Sequence, residues 1–423
     1  MDIFLQKLKI IVSEKAIRDR VLFVLGALVI FRILTAVPIP GVDLTVLEQF
    51  FQNNQFLGLL NVFSGGGLSN LSIAMLGVGP FITASIIMQL MTVMSPKLKA
   101  MYSEEGETGR ARFTQYSRQL TLPLAILQAF GFLSLLKSQG VITGLSTFEF
   151  IVNIIIVVAG AMLLLWLGEL VTEYGIGNGV SIIIFGGIVA TLPSTASQLF
   201  YSFDASQIPL FAGFTIAALA IIYGVVVMTQ AERRVDITHA KQVRGGKTYG
   251  GTTSYLPLRL NQAGVIPIIF ALSIILFPQM ILNILASFNV PNVAALSEKV
   301  LVFFQNQELY ALIYFALVII FTFFYTAVTF DPEAMSKNLQ RSGAFIPGIR
   351  PGTHTAEYLG KLITRLTLAG ALFLGAVAVL PMMMQILTGV TALAIGGTAL
   401  LIAVSVVIDI VRRVDSQVSL RQY

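Results

Sequence analysis

The chain has 423 residues, 56% of them hydrophobic and only 11% charged, with a mean hydropathy of +0.84 and a formal net charge of +6. That balance excludes an ordinary soluble domain, in which about a quarter of residues are charged. Cysteine is absent, so structural disulfides and thiolate metal sites are excluded as well.

A bilayer core about 30 Å thick takes about 20 mostly apolar residues per helix. Ten segments approach that length, near 21–37, 71–94, 119–136, 151–168, 180–193, 210–229, 263–282, 309–329, 366–385 and 391–409. They predict an all-α polytopic membrane protein with ten transmembrane helices. Before the first, "MDIFLQKLKIIVSEKAIRDR" mixes charges throughout and lacks the apolar run of a cleavable signal peptide, so residues 1–20 read as a cytoplasmic amphipathic lead helix. The second segment is broken. In "NVFSGGGLSNLSIAMLGVGPFITASIIMQLM" (61–91) three consecutive glycines hold a helix poorly, and Gly77-Val78-Gly79-Pro80 removes a backbone donor. A short outer piece and a longer inner helix are predicted. Non-helical backbone at that depth is tolerated where protein buries it or where it lines a cavity. Both a packing kink built on small residues and a segment that blocks a pore fit the pattern.

Basic loops follow span six (230–262) and span eight (330–365), and residues 410–423 form a short tail. With ten spans both termini share one side, which carries 24 of the 27 Lys and Arg residues; Lys137 and Lys299 lie opposite and Arg32 lies inside span one. Positive residues mark the cytoplasmic side, so both termini are expected there.

The chain also repeats itself. At an offset of 187, "GVGPFITASII" (77–87) matches "GVIPIIFALSI" (264–274), and at an offset of 210, "GVSIIIFGG" (179–187) matches "GVTALAIGG" (389–397). Span two is thereby equated with seven, and five with ten. Equivalents five spans apart have opposite orientation, so two inverted halves, 21–193 and 194–409, are expected to face each other across an axis in the membrane plane. A pathway between them follows.

Ion-coupled transporters usually place ionisable groups in their spans. Here only Arg32 sits well inside one, where snorkelling or a bond to a helix carbonyl accounts for it; Glu169 and Glu173 fall at the cytoplasmic end of span four. "RGGKT" (244–248) resembles the end of a phosphate-binding loop but has lysine at 241 where that motif needs glycine. His239 and His354, the only histidines, lie in different loops without ligand spacing. No catalytic residue, metal or cofactor is expected. A channel, an inverted-repeat secondary transporter and a docking scaffold remain.

The strings "NVFSGGGLSN", "GPFITASIIMQLMTV", "EYGIGNGVSIIIFGGIVATLP", "YLPLRLNQAGVIPIIFALSIILFP", "FFYTAVTFDPEAMSKNLQRSGAFIPGIRPG" and "TRLTLAGALFLG" closely resemble the SecY family, the central subunits of bacterial protein-conducting channels. The resemblance implies ten helices in two inverted halves around a central hourglass pore. It implies a plug near 63–76, including Phe63, Gly65, Gly66, Gly67 and Leu68, that closes the outer funnel. The implied narrow ring is Val78, Ile82, Val180, Ile184, Ile269 and Ile402, with two valines where isoleucine is familiar and so a slightly wider constriction. Branched apolar side chains offer a passing polypeptide no polar partner and resist wetting, so ions leak slowly. The resemblance also implies a lateral gate between spans two and three on one side and seven and eight on the other, with the polar cluster Thr83, Gln128 and Asn261. Lys247 and Arg350, together with Arg244 and Arg341, match loop residues that engage the motor ATPase SecA or ribosomal RNA. Further implied partners are the small membrane subunits SecE and SecG, signal sequences, unfolded polypeptides and lipid. The implied task is to move secretory polypeptides across a bacterial plasma membrane and release membrane helices sideways into lipid.

Overall fold

A computed structural model describes residues 13–40, 61, 64–103, 105–138, 140–142, 144, 146–201, 208–239, 242–244, 247–249, 253–275, 307–388 and 391–422. Helix α1 (Lys15–Ala36) already contains residues 15–20, so this part of the predicted lead helix runs unbroken into the first span; residues 1–12 lie outside the described residues. Beyond Ala36 the chain turns extended, and Pro38, lacking an N–H, cannot continue the helix. This extended stretch pairs with the broken region of span two. The Ile39 N–H donates to the Leu71 carbonyl at 2.8 Å and the Ile73 N–H to the Val37 carbonyl at 2.9 Å, on either side of a Pro38–Ser72 bridge.

Residues 64–78 are a run of turns, and helix α2 (Gly79–Met94) begins later than the predicted start at 71. Gly65, Gly66 and Gly77 have φ of 67°, 82° and 56°, a region open to glycine and costly for other L-residues, so a helix does not pass through them. Pro80 sits in the first turn of α2, where its missing donor has no helical partner to lose. After α2 the chain bends by 114° into α3 (Pro96–Ser103).

The first half is completed by α4 (Gly106–Ser138), α5 (Thr147–Tyr174) and α6 (Gly179–Tyr201). A reciprocal Ser146–Glu149 capping box satisfies orphan donors at the start of α5. The second half comprises α7 (Ile208–Gln230), α8 (Ile266–Ile275), α9 (Gln307–Thr329), α10 (Pro332–Arg341), α11 (Thr353–Thr388) and α12 (Thr391–Gln422), which carries on through the predicted tail. Residues 276–282 of predicted span seven, and Gly389 and Val390 of the repeat, lie outside the described residues. Helix occupies part of every predicted span. Among the described residues, four stretches are long and apolar enough to cross a membrane alone (Gly106–Lys137, Thr147–Tyr174, Glu308–Arg341 and Thr353–Leu380), and α2 with α3 forms a bent fifth.

The protein is mostly helical but not all-α, which corrects the sequence expectation. Strands β1 (Glu232–His239), β2 (Gln242–Arg244), β3 (Lys247–Tyr249) and β4 (Thr253–Arg259) arise from the first basic loop and β5 (Ala344–Phe345) from the second. They form a three-stranded antiparallel sheet in the order β4-β1-β5 and a separate β2-β3 hairpin. The physical reason is a period-two alternation masked by charge: Val235 and Ile237 of β1 and Leu258 of β4 are buried against Leu339 of α10 and Leu359 and Ile363 of α11.

Apolar packing falls into separate clusters. Leu68, Leu71 and Met75 join Ala125, Ala129 and Leu133 of α4 and Val157 of α5. Ile268, Phe270, Tyr314, Val318 and Leu374 make a second cluster across α8, α9 and α11. A third contains residues of both halves and holds the candidate constriction.

Candidate functional site

The third cluster gathers all six predicted ring residues. Val78 precedes α2, Ile184 lies on α6 and Ile402 on α12, with exposures of 1%, 2% and 1%. Ile82 of α2, Val180 of α6 and Ile269 of α8 pack against the same cluster, half-buried. Four elements from both halves thus converge on branched apolar side chains. The repeat is visible in the backbone here: Gly77 and Gly264 both take positive φ (56° and 63°), and α2 and α8 start at positions, Gly79 and Ile266, that are themselves 187 residues apart. A left-handed glycine thus precedes each helix, and Ile82 and Ile269, also 187 residues apart, follow at equivalent positions.

Segment 64–77 leads directly into Val78. Ser64, Gly65, Gly66, Gly67 and Leu68 are buried; Phe63 lies outside the described residues. Internal bonds hold its shape: the Leu68 N–H donates to Ser64 Oγ at 3.0 Å, Ser69 Oγ to the Gly66 carbonyl at 2.8 Å, and the Ser69 N–H to Asn61 Oδ1 at 2.8 Å. Its seat requires glycines on both sides. A Cβ on Gly65 would stand 2.9 Å from the Gly187 Cα of α6, and a Cβ on Gly160 of α5 would stand 2.7 Å from the Ile73 carbonyl carbon and nearer still to its oxygen. Asn153 of α5 donates from Nδ2 to the Pro40 carbonyl at 3.3 Å, tying the extended strand that pairs with this segment.

Of the three predicted gate residues the structure joins two. Gln128 Nε2 of α4 donates to Thr83 Oγ1 of α2 at a long 3.4 Å, and Thr83 Oγ1 donates to the Gly79 carbonyl at 3.1 Å. Asn261 instead turns its Nδ2 onto the Gly264 carbonyl at 3.1 Å, within its own turn, while its Oδ1 is buried without a partner among the described residues. Beside them Ile86 of α2 is packed against Ile268 and Phe270 of α8 and Tyr314, Val318 and Phe321 of α9.

The predicted basic residues fall on the two basic loops: Arg244 and Lys247 in the separate β2-β3 pair, Arg341 and Arg350 in the second loop. Arg244 and Lys247 face each other in the β2-β3 register, and Arg341 closes α10, where a cation complements the helix dipole. Arg350 is exposed in a turn between Gly348 (φ 82°) and Gly352 (φ 101°), and its carbonyl accepts from Thr355 Oγ1 at 2.9 Å.

Three contacts escaped sequence reasoning. Arg32 Nη1 donates to the Gly65 carbonyl at 3.1 Å, a turn carbonyl rather than the helix carbonyl expected. Gly160 makes its close approach to Ile73 from "VAGAM", whose small residues were the only signal. Arg412 Nη2 of α12 donates to the Thr229 carbonyl at 2.8 Å, next to the start of the sheet. Glu169, one of the few acids near a span, pairs with Arg118 across α5 and α4 and so stands as a structural ion pair.

A mostly helical protein with apolar stretches long enough to cross a membrane, whose two halves share one apolar cluster next to a buried turn segment, has the make-up of a membrane channel. The SecY family profile matches residues 72–411. A protein translocase subunit SecY of Mycobacterium leprae is 41% identical over 427 residues, covering 96% of each chain, and that of Escherichia coli is 41% identical over 415 residues, covering 96% of this chain and 93% of the relative. Two solved structures share the fold at 18% identity: a protein-conducting channel (TM-score 0.64) and Sec61 of a canine ribosome–channel complex (TM-score 0.60), each covering 94% of this chain and 91% of its own. The chain belongs to the SecY family.

Proposed function

We propose that the chain is the pore subunit of a bacterial plasma-membrane translocase, with ten spans in two inverted halves and both termini cytoplasmic. The supporting observation is the single apolar cluster built from Val78, Ile82, Val180, Ile184, Ile269 and Ile402, drawn from both halves, with segment 64–77 leading directly into Val78. Such a collar seals against ions by resisting wetting, yet offers an extended polypeptide no polar group to hold it. In a SecY relative of solved structure, the plug domain stabilises the closed state and maintains a membrane seal. Segment 64–76 is read as that plug here. Thr83 and Gln128, with Asn261 nearby in the chain of span seven, form the polar part of a lateral gate, whose apolar remainder is the contact of Ile86 with α8 and α9. Membrane hydrogen bonds average about 0.6 kcal/mol, so this gate yields to an inserting apolar helix without a large energy input.

The basic loops carrying Arg244, Lys247, Arg341 and Arg350 dock the ribosome or SecA; related channels, canine Sec61 and yeast Ssh1, are found bound to ribosomes. SecE and SecG complete the complex. The test is site-specific crosslinking of a stalled secretory chain to single cysteines at positions 82, 184, 269 and 402, which the cysteine-free sequence makes direct. Adducts at all four are expected; adducts confined to the basic loops would reduce the protein to a docking scaffold.

A further inference from the structure

The geometry points to Arg32 as the positioning residue of the plug: its guanidinium holds segment 64–76 in its seat through the Gly65 carbonyl. The inference rests on the plug reading above. A guanidinium within a span needs an acceptor, because an unpaired charge in hydrocarbon is expensive. The left-handed φ of Gly65 (67°) and Gly66 (82°) takes these peptides out of any helix, and Arg32 Nη1 reaches the Gly65 carbonyl at 3.1 Å. The same nitrogen stands 3.5 Å from where a Gly66 Cβ would sit, so the charge lies flush against the turn. Its neighbours on α1 add to the hold. The buried Phe31 ring packs on Gly65, and the Thr35 carbonyl accepts from Asn70 Nδ2 at 3.4 Å. Residues 31, 32 and 35 are on one face of the helix, and each touches the segment. Of these contacts only the arginine bond is charge-assisted, the stronger kind.

Losing a hydrogen bond to a charged group shifts a two-state equilibrium by about tenfold or more. In the full reconstituted complex, Arg32→Met is therefore expected to raise the resting open fraction, read as ion conductance across a planar bilayer, by about tenfold, and Arg32→Lys to restore part of the seal. In a channel lacking residues 64–76, Arg32→Met is expected to add nothing. If Arg32→Met does not assemble, Arg32→Gln takes its place. Wild-type conductance in the variant, beside a raised conductance on plug deletion, overturns the latch and leaves the plug. An equal increment with and without the plug overturns it too, placing the effect of Arg32 elsewhere. No change on plug deletion itself removes the plug reading and the latch with it.

Discussion

The tightest contact at the plug seat yields a quantitative prediction. Adding one methyl in Gly160→Ala places a Cβ 2.7 Å from the Ile73 carbonyl carbon and nearer still to its oxygen, where ordinary contact begins near 3.4 Å, so the two backbones must part by more than the about 0.7 Å that the carbon alone demands. Neither partner is a side chain that can rotate away. Ile73 is fixed to Val37 by its N–H and lies between Ser72 and Ala74, both fully buried, so the segment moves as a piece. Overpacking of this kind costs about 1–3 kcal/mol. All of it falls on the seated state, which shifts the seated-to-displaced ratio by about 5-fold to 150-fold. The assay is resting ion conductance of the reconstituted complex, with Gly26→Ala as control because nothing lies within 4 Å of a Cβ there. Conductance should rise for Gly160→Ala and stay level for the control. If Gly160→Ala conducts as wild type while its thermal stability falls, then α5 has given way in place of the plug, and the reasoning is refuted.

Deleting residues 64–76 should raise resting conductance well above Gly160→Ala, since it removes the seal outright; equal values would mean that the ring alone limits ion flow. Ile402→Ala, which truncates a residue 1% exposed at the centre of the third cluster, should widen the collar and increase leak at a stability cost of about 2–5 kcal/mol, measured by conductance and thermal unfolding. Gln128→Leu should make lateral release of a weakly apolar signal segment easier by no more than about threefold, because the bond to Thr83 is long and membrane hydrogen bonds are weak; a larger effect in a partitioning assay would assign the residue another role. Arg350→Glu should cut SecA-driven translocation while the yield of assembled complex stays level, because the side chain is exposed and, among the described residues, only its backbone is bonded; parallel loss of both would count against a docking role.

How much of this was legible in the sequence depends on the range of the interaction. Apolar length and the Gly/Pro break at 65–80 are local, and they placed helices in every predicted span and a non-helical stretch before α2. The sheet was missed because its apolar residues are few: Val235 and Ile237 alternate inside "ERRVDITH", and a charged octapeptide reads as a loop until α10 and α11 supply the surface that buries them. Arg32 was recognised as the one ionisable residue deep in a span, but its acceptor lies 33 residues away in a turn whose carbonyl direction no pattern encodes. The same holds for Asn261, whose residue type suited a gate but whose amide is taken by the turn that the left-handed Gly264 creates.

On the docking and seal proposed above, the architecture offers a route between a partner bound at Arg350 and the apolar cluster. A docking residue on a loose loop would transmit little, since a flexible linker absorbs displacement. Arg350 is not so placed. Ser336 Oγ of α10 donates to the Gly352 carbonyl at 2.6 Å, and Thr355 of α11 bonds the Arg350 carbonyl, so the turn is fastened to both helices. Three residues before Gly348, β5 ends its pairing with β1 at Thr238–Phe345 and His239–Ala344, which joins β1 of the first basic loop to the second. β1 in turn follows α7 almost without a break, and Arg412 grips the Thr229 carbonyl at that junction. Arg412 and Ile402 share α12, ten residues or about 15 Å apart. From Arg350 to the collar the path therefore runs through a sheet, a helix junction and one continuous helix, each held by bonds already in place. Rigid elements of this kind carry a displacement that a solvated loop would dissipate, so on the proposed reading a partner docked at Arg350 acts on the same helix that supplies Ile402.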